Sequence, residues 1–249
     1  MKDEQYVKVP TVFTRKDFRP DEYTPEQLDR EKINDGVRLH EETKSYLDIY
    51  ARTYHKPFVK PFVLIVAKDT EHSKQIYDYI ASNDFFDGYY KDKVIQINSS
   101  MRGAEKDENI QQLLSLESEE NKIEIVIHVN MLKEGWDVTN LYTIIPLRAS
   151  ASETLTEQTI GRGLRLPYGA RTGIAEVDRL QIIHHDKYSA IVKLAKDTNS
   201  LVKRVYYIDD VLQGEDGGSK ETVALTSAYD DMTTSDTFAR QLAFQLMPD

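Results

Sequence analysis

Two arginines stand three positions apart in the run Glu157-Gln-Thr-Ile-Gly-Arg-Gly-Leu-Arg-Leu166, and Gln158 lies four before the first of them. On a helix, side chains three and four apart are neighbours. The spacing therefore predicts Gln158, Arg162 and Arg165 on one side of a helix. Two guanidinium groups held together repel unless an anion lies between them, and their donor fork matches phosphate oxygens. The chemistry suggested is phosphate recognition. A plainer alternative is a solvated helix face, with Glu153 and Glu157 balancing the charge. Gly161 and Gly163 weigh against it, because each glycine costs a helix interior roughly 1 kcal/mol. Close packing on a sheet, or close approach of a ligand, would account for them.

Two further segments offer polar groups. Asn130-Met-Leu-Lys-Glu-Gly-Trp-Asp-Val-Thr-Asn140 follows an apolar run. Gly135 allows close backbone approach, Asp137 can accept from a sugar hydroxyl, and Asn130 can reach a phosphate or a base. The alternative is a plain strand connection with Trp136 in the core and Asp137 capping a turn. Asn98-Ser-Ser-Met-Arg-Gly103 sets Ser99, Ser100 and Arg102 just past another apolar run. Such groups suit nucleic-acid phosphates, which position a protein without reading sequence; a helix-capping loop fits equally. His184 and His185 are adjacent on a predicted strand, so they point to opposite faces and do not chelate one ion. No metal site is expected. The Gly-x-x-x-x-Gly-Lys-[Ser/Thr] phosphate loop is absent from the sequence, and Gly217-Gly-Ser-Lys220 lacks its spacing. Nor is there a carboxylate–carboxylate–lysine arrangement typical of nucleases.

Composition narrows the class. The 249 residues are 40% hydrophobic, enough for a sizeable core. The chain has no cysteine, which excludes disulfides and thiolate metal sites and fits a reducing compartment. No apolar run approaches the ~20 residues of a membrane span, and Met1-Lys-Asp-Glu-Gln5 has no apolar signal core. A cytoplasmic protein with no membrane partner is expected. The net charge of −10 argues against a generic nucleic-acid binder. Acidic residues are concentrated from Asp209 onward, however, so a local cationic face remains open.

The elements that must position these residues follow from periodicity. Residues 1–23, broken by Pro10 and Pro20, read as an irregular linker. Thr24-Pro25-Glu26-Gln27 is a capping-box helix start, and residues 24–56 read as a long connecting helix stopped by Pro57. Its sparse apolar stripe suggests a connector, not a core helix. Strands are predicted at 62–67, 94–97, 122–128, 141–145, 180–183 and 203–208. Helices are predicted at 70–81, 106–116 and 188–196, with the arginine-bearing helix capped by Ser150 or Thr154. Alternating strands and helices predict an α/β layer fold with a mainly parallel sheet over residues 60–208. In such sheets ligands gather beyond the carboxyl ends of the strands, which singles out 98–103, 129–140 and 147–152. Residues 209–249 read as an acidic linker or tail.

Taken in order, these pieces resemble the second RecA-like lobe of superfamily-two helicases and translocases. Phe62–Ala67 is similar to motif IV, and Glu134-Gly-Trp-Asp137 within residues 130–140 to motif V. Gln158–Arg165 fits motif VI, Gln-x-x-Gly-Arg-x-x-Arg. The wording Glu134-Gly-Trp-Asp-Val138, Pro146-Leu-Arg-Ala-Ser150 and Glu157–Pro167 is similar to the Res subunit of type III restriction enzymes. The resemblance covers roughly residues 60–185. It implies a RecA-like three-layer α/β/α fold and the C-terminal motor lobe of an ATP-dependent DNA translocase or helicase. ATP and Mg²⁺ would be shared with the first RecA-like lobe of the same parent chain. DNA and a modification methyltransferase subunit would be the partners. Arg162 and Arg165 would act on the γ-phosphate, one as an arginine finger. Gln158, Gly161, Gly135 and Asp137 would line the nucleotide side, and Asn130, Ser99, Ser100 and Arg102 the nucleic-acid side. This chain alone is then expected to bind ATP weakly and not to hydrolyse it, lacking the phosphate loop, the Mg²⁺-binding acid and a nuclease domain. The alternatives are the same lobe from a repair or type I restriction motor, or a non-catalytic interaction module. The intact Gln158, Gly161, Arg162 and Arg165 weigh against the last.

Overall fold

Continuous apolar runs must be covered on both faces, as strands of a parallel sheet are, and this requirement organises the chain. The computed structural model describes residues 7–16, 18–97, 103–129, 138–147, 161, 163–185 and 204–212. Seven strands form one sheet: β1 (Val9–Thr14), β2 (Phe62–Val66), β3 (Val94–Ile97), β4 (Ile125–His128), β5 (Leu141–Pro146), β6 (Arg179–Ile183) and β7 (Arg204–Tyr207). Their order is β3-β4-β2-β5-β6-β1-β7, and every pairing is parallel. The fold is RecA-like α/β. All strands begin at one margin of the sheet, here the amino edge, and finish at the other, the carboxyl edge.

β1 corrects the reading of residues 1–23 as irregular. Val9-Pro-Thr-Val-Phe-Thr14 lies between β6 and β7. Pro10 hides the strand in the sequence, since proline cannot donate to a ladder. Among the described residues its pairing with β7 starts at Thr11, so Pro10 is not asked to donate to that neighbour.

Helix α1 (Pro25–Tyr54) begins as expected. The Thr24 hydroxyl accepts from the Gln27 amide, and the Gln27 side chain accepts from the Thr24 amide. The helix stops at His55, in left-handed conformation at φ 51°. It packs as a core helix, contrary to the expectation of a sparsely docked one. Ile33, Val37, Leu39 and Leu47 are buried, and Gly36 lets the helix lie directly on β5. A Cβ at Gly36 would overlap the Ile145 side chain. Helix α2 (Thr70–Ile80) is capped by Asp69, which accepts from the His72 amide. It shares the α1 face of the sheet through Ile76 and Ile80. On the opposite face, α3 (Gly103–Leu114) contributes Leu113, and Leu164 packs nearby. Short helices α4 (Ala175–Asp178) and α5 (Ile208–Leu212) flank β6 and β7. The helix predicted at 188–196, the start of the arginine-bearing helix and residues 213–249 of the expected acidic tail lie outside the described residues; residues 209–212 belong to α5.

Candidate functional site

The segments carrying the candidate residues are anchored at points the sheet fixes. Val66, Ile97, His128 and Pro146 are in register at the carboxyl edge. Residues 98–102, 130–137 and 148–160 follow β3, β4 and β5 there. Adjacent strands lie about 4.8 Å apart, so three strand steps from β3 to β5 span roughly 14 Å.

The far ends of two of these segments return to the amino edge. Val138 precedes β5, and the Asn140 carbonyl accepts from the Phe62 amide at the start of β2. Three side chains hold this re-entry. Asn140 donates to the Lys60 and Leu116 carbonyls at 2.9 and 3.0 Å. A Glu117 carboxylate oxygen accepts from the Thr139 amide and hydroxyl at 2.6 and 2.7 Å. The Lys8 ammonium donates to the Thr139 and Leu141 carbonyls at 2.6 and 2.8 Å. Residues 130–137 are thus bracketed by Val129 at the carboxyl edge and Val138 at the amino edge.

The arginine motif ends at the same amino edge. Gly161 and Gly163 are helical, and Arg165 lies beyond the helix in an antiparallel bridge with Val7. This departs from the expectation that Arg165 sits on the helix. The cause is local: Pro167 disfavours helical backbone at Leu166, and the Lys8 amide donates to the Leu164 carbonyl at 2.6 Å. Arg165 also departs from the rule that placed ligands at the carboxyl edge. The two glycines differ. A Cβ on Gly163 would lie 2.8 and 2.9 Å from the Leu180 methyls and 3.2 Å from Leu141. That glycine lets the helix end sit on the sheet. Gly161 is exposed, and a Cβ there would meet nothing within 4 Å among the described residues. Beyond Pro167, Asp178 closes the return to β6 by accepting from the Thr172 and Gly173 amides, both at 2.8 Å. Burial raises its carboxyl pKa, and those bonds act in the opposite direction.

Of the predicted site residues, Gly161 and Arg165 are described. Gln158, Arg162, Asn130, Gly135, Asp137, Ser99, Ser100 and Arg102 lie outside the described residues. The sequence reading missed Lys8 and Glu117, which hold the backbone on either side of the candidate motifs. A lysine inside an otherwise apolar strand start, Val7-Lys8-Val9, was the available signal for the first.

Three other polar clusters are structural. The Glu124 carboxylate, 8% exposed, meets His40 at 3.2 Å and Lys44 and Lys93 at 2.8 Å. Burial alone would raise its pKa, but these three hydrogen bonds hold it well below the carboxylate range. His40, Glu41 and Glu124 have the spacing of a metal site, yet the two ammonium groups already supply the cations. Asp35 joins Arg15 at 2.6 Å and His185 at 2.8 Å, tying α1 to the ends of β1 and β6. His185 Nε2 thus lies 2.8 Å from the Asp35 carboxylate. Among the described residues neither ring nitrogen of His128, at the end of β4, has a hydrogen-bond partner. Burial pushes its pKa down to about 4.

The parallel sheet with helices on both faces places the fold in the RecA-like α/β class. Residues 59–167 match the family model described as helicase conserved C-terminal domain. It is 32% identical over 102 residues to the type III restriction-modification enzyme EcoPI Res subunit of Escherichia phage P1, covering 35% of this chain and 10% of that protein. It is 34% identical over 97 residues to the EcoP15I Res subunit of Escherichia coli, covering 33% and 10%. This chain thus matches about a tenth of the length of these relatives. The fold is similar to that of S. cerevisiae Dbp5 bound to RNA and ADP BeF3, with a TM-score of 0.51 at 13% identity over 83% of this chain and 44% of that one.

Proposed function

We propose that this chain is the C-terminal motor lobe of an ATP-dependent DNA translocase, the restriction subunit of a type III restriction-modification system. In this reading Arg162 and Arg165 stabilise charge on the γ-phosphoryl oxygens at the amino edge. Gln158, Gly161, Gly135 and Asp137 line the nucleotide, and Asn130, Ser99, Ser100 and Arg102 hold the DNA backbone at the carboxyl edge. The observation that carries the reading is the separation of the anchors. Thr139 and Leu141, which lead into β5, and Gly163, near the end of the arginine motif, meet at the amino edge, while Ile97 and Val129, which precede residues 98–102 and 130, lie at the carboxyl edge. With ~3.3 Å per strand residue, the two margins of β5 lie about 17 Å apart. One phosphate cannot bridge that distance, so two ligands are indicated.

ATP and Mg²⁺ fit this arrangement as groups presented by a first RecA-like lobe. Gly161 leaves open space beside the motif, and Arg165 is exposed. Among the described residues the carboxylate–imidazole cluster at Glu124 is filled by lysines, so Mg²⁺ would arrive with the nucleotide. Phosphoryl transfer depends mainly on positioning and charge stabilisation, and an arginine finger contributes about 10³–10⁵ in rate. In a protein joining this lobe to its first lobe, Arg162→Ala or Arg165→Ala should lower the DNA-stimulated kcat about 10³-fold. The 249-residue chain alone should show no turnover. Turnover by the chain alone, or two arginine variants with unchanged kcat, would overturn the proposal.

A further inference from the structure

We propose that Lys8 is a positioning residue for the arginine motif: its ammonium locks the backbone around Gly163 to the segment entering β5. This rests on the nucleotide-site reading above. Lys8 is fully buried, and its Nζ donates to three carbonyls, those of Thr139 at 2.6 Å, Leu141 at 2.8 Å and Gly163 at 3.3 Å. An ammonium has three N–H donors and no acceptor, so the donors and the carbonyls match in number. Among the described residues no carboxylate touches it. Its neighbour is the face of the Tyr142 ring, 4.1 Å from Nζ to centroid. A buried ammonium is costly unless its hydrogen bonds are made, and the structure meets that cost where two candidate motifs end.

The backbone around Lys8 makes the same connection. The Lys8 amide donates to the Leu164 carbonyl, Val7 bridges Arg165, and Arg171 Nε donates to the Val7 carbonyl at 2.8 Å. Thr139 follows Asp137 by two residues, and Gly163 precedes Arg165 by two. Lys8 therefore fixes the distance between the exit of one motif and the end of the other. It does so from just before β1, outside the 59–167 span matched by the helicase C-terminal domain model. A methionine would fill the same volume but could not hold three carbonyls together. Burial pushes the Lys8 pKa well down, with Glu117 and Asp178 acting in the opposite direction. These charges favour the ammonium without contacting it.

The test uses hydrogen exchange on the whole chain. Lys8→Met should speed exchange of the amides at 139–141 and 163–166 by ~10–100-fold, the loss of charge-assisted bonds, and leave β2 within about twofold. The chain has no cysteine, so Lys8→Cys offers a single thiol. Its thiolate displaces bromide from 2-bromoethylamine in denaturant, restoring an ammonium at lysine length. After refolding, protection at 139–141 and 163–166 should return. Uniform loosening that includes β2, no change, or no recovery on aminoethylation would each overturn the role. In the two-lobe protein, Lys8→Met should lower kcat about tenfold or more while the KM for ATP stays within about twofold. An unchanged kcat where Arg165→Ala is strongly impaired also overturns it. If Arg165→Ala has no effect, the nucleotide-site reading fails, and the exchange pattern still decides the clamp.

Discussion

Gly161 and Gly163 differ by two positions and by everything around them, which makes their alanine variants a controlled pair. Both are helical, and neither has a positive φ. Each substitution should therefore gain up to ~1 kcal/mol of helix propensity. At Gly161 nothing opposes the gain, since no described atom lies within 4 Å of the new Cβ. At Gly163 the Cβ would press on Leu180 at 2.8 Å, and Leu180 is fully buried. Methyl groups at a side-chain end can shift, but a closed core gives them little room, and overpacking costs about 1–3 kcal/mol. Propensity cancels in the comparison, so Gly163→Ala should be less stable than Gly161→Ala by about 1–3 kcal/mol. For a chain of this size that is roughly 2–10 °C in Tm, and urea unfolding of both variants measures it directly. The ATPase of the two-lobe protein gives the second axis. Gly161→Ala should keep its stability and lose turnover, because the methyl group enters the space assigned to the nucleotide. Two variants of equal stability, within about 0.5 kcal/mol, would show that Gly163 does not seat the helix on the sheet.

Two further outcomes concern buried charge. His128 titrates at about 4 in the fold against an ordinary 6.5, so the unfolded chain binds the proton first as pH falls. Stability contributed by the neutral ring is complete above pH 6.5 and is lost between there and about 4; the difference is ~3 kcal/mol. His128→Leu should flatten the urea-unfolding profile across that window, and an unchanged slope would contradict the burial argument. Glu124→Gln removes the negative charge facing Lys44 and Lys93 and replaces one carboxylate oxygen with an amide donor. Breaking a buried pair costs about 3–5 kcal/mol, and the partly exposed lysines bring the expected loss to about 2–3 kcal/mol in the same assay.

Most of the sheet was legible in the sequence because its central strands are continuous apolar runs. β2, β3 and β5 fall within a residue of their expected limits. β4 starts at Ile125, three residues after the expected Lys122. Asn121 explains the delay: its side chain accepts from the Ile123 amide and donates to the Gln112 carbonyl, holding the chain in a turn. β1 was hidden by Pro10, and its partners β6 and β7 lie about 170 and 195 residues away, beyond any local pattern. The character of α1 was misread for a related reason. A sparse stripe looked weak, but Gly36 and Val37 bring the helix close enough for few side chains to suffice. The motif residue types and spacing pointed to phosphate chemistry as an expectation. That Gly163 and Arg165 end at the amino edge was not legible, because it depends on Lys8 and Val7.

The match to the helicase C-terminal domain model spans residues 59–167, yet that span does not contain the parts that complete the sheet. β6 pairs with β5, β1 with β6, and β7 with β1, all outside it. Leu180, against which Gly163 packs, belongs to β6. Lys8 and Val7, which hold Gly163, Leu164 and Arg165, precede β1. The arginine motif is thus written inside the domain and seated from outside it. A parallel strand order makes this necessary. Each new strand needs a crossover connection, so neighbours in the sheet come from distant parts of the chain. The helix end at Gly163, which lies against Leu141 of β5 and Leu180 of β6, must then take its supports from both ends of the sequence. Local spacing suggests what side chains could do, and the distant strands set where the described end of the motif is held.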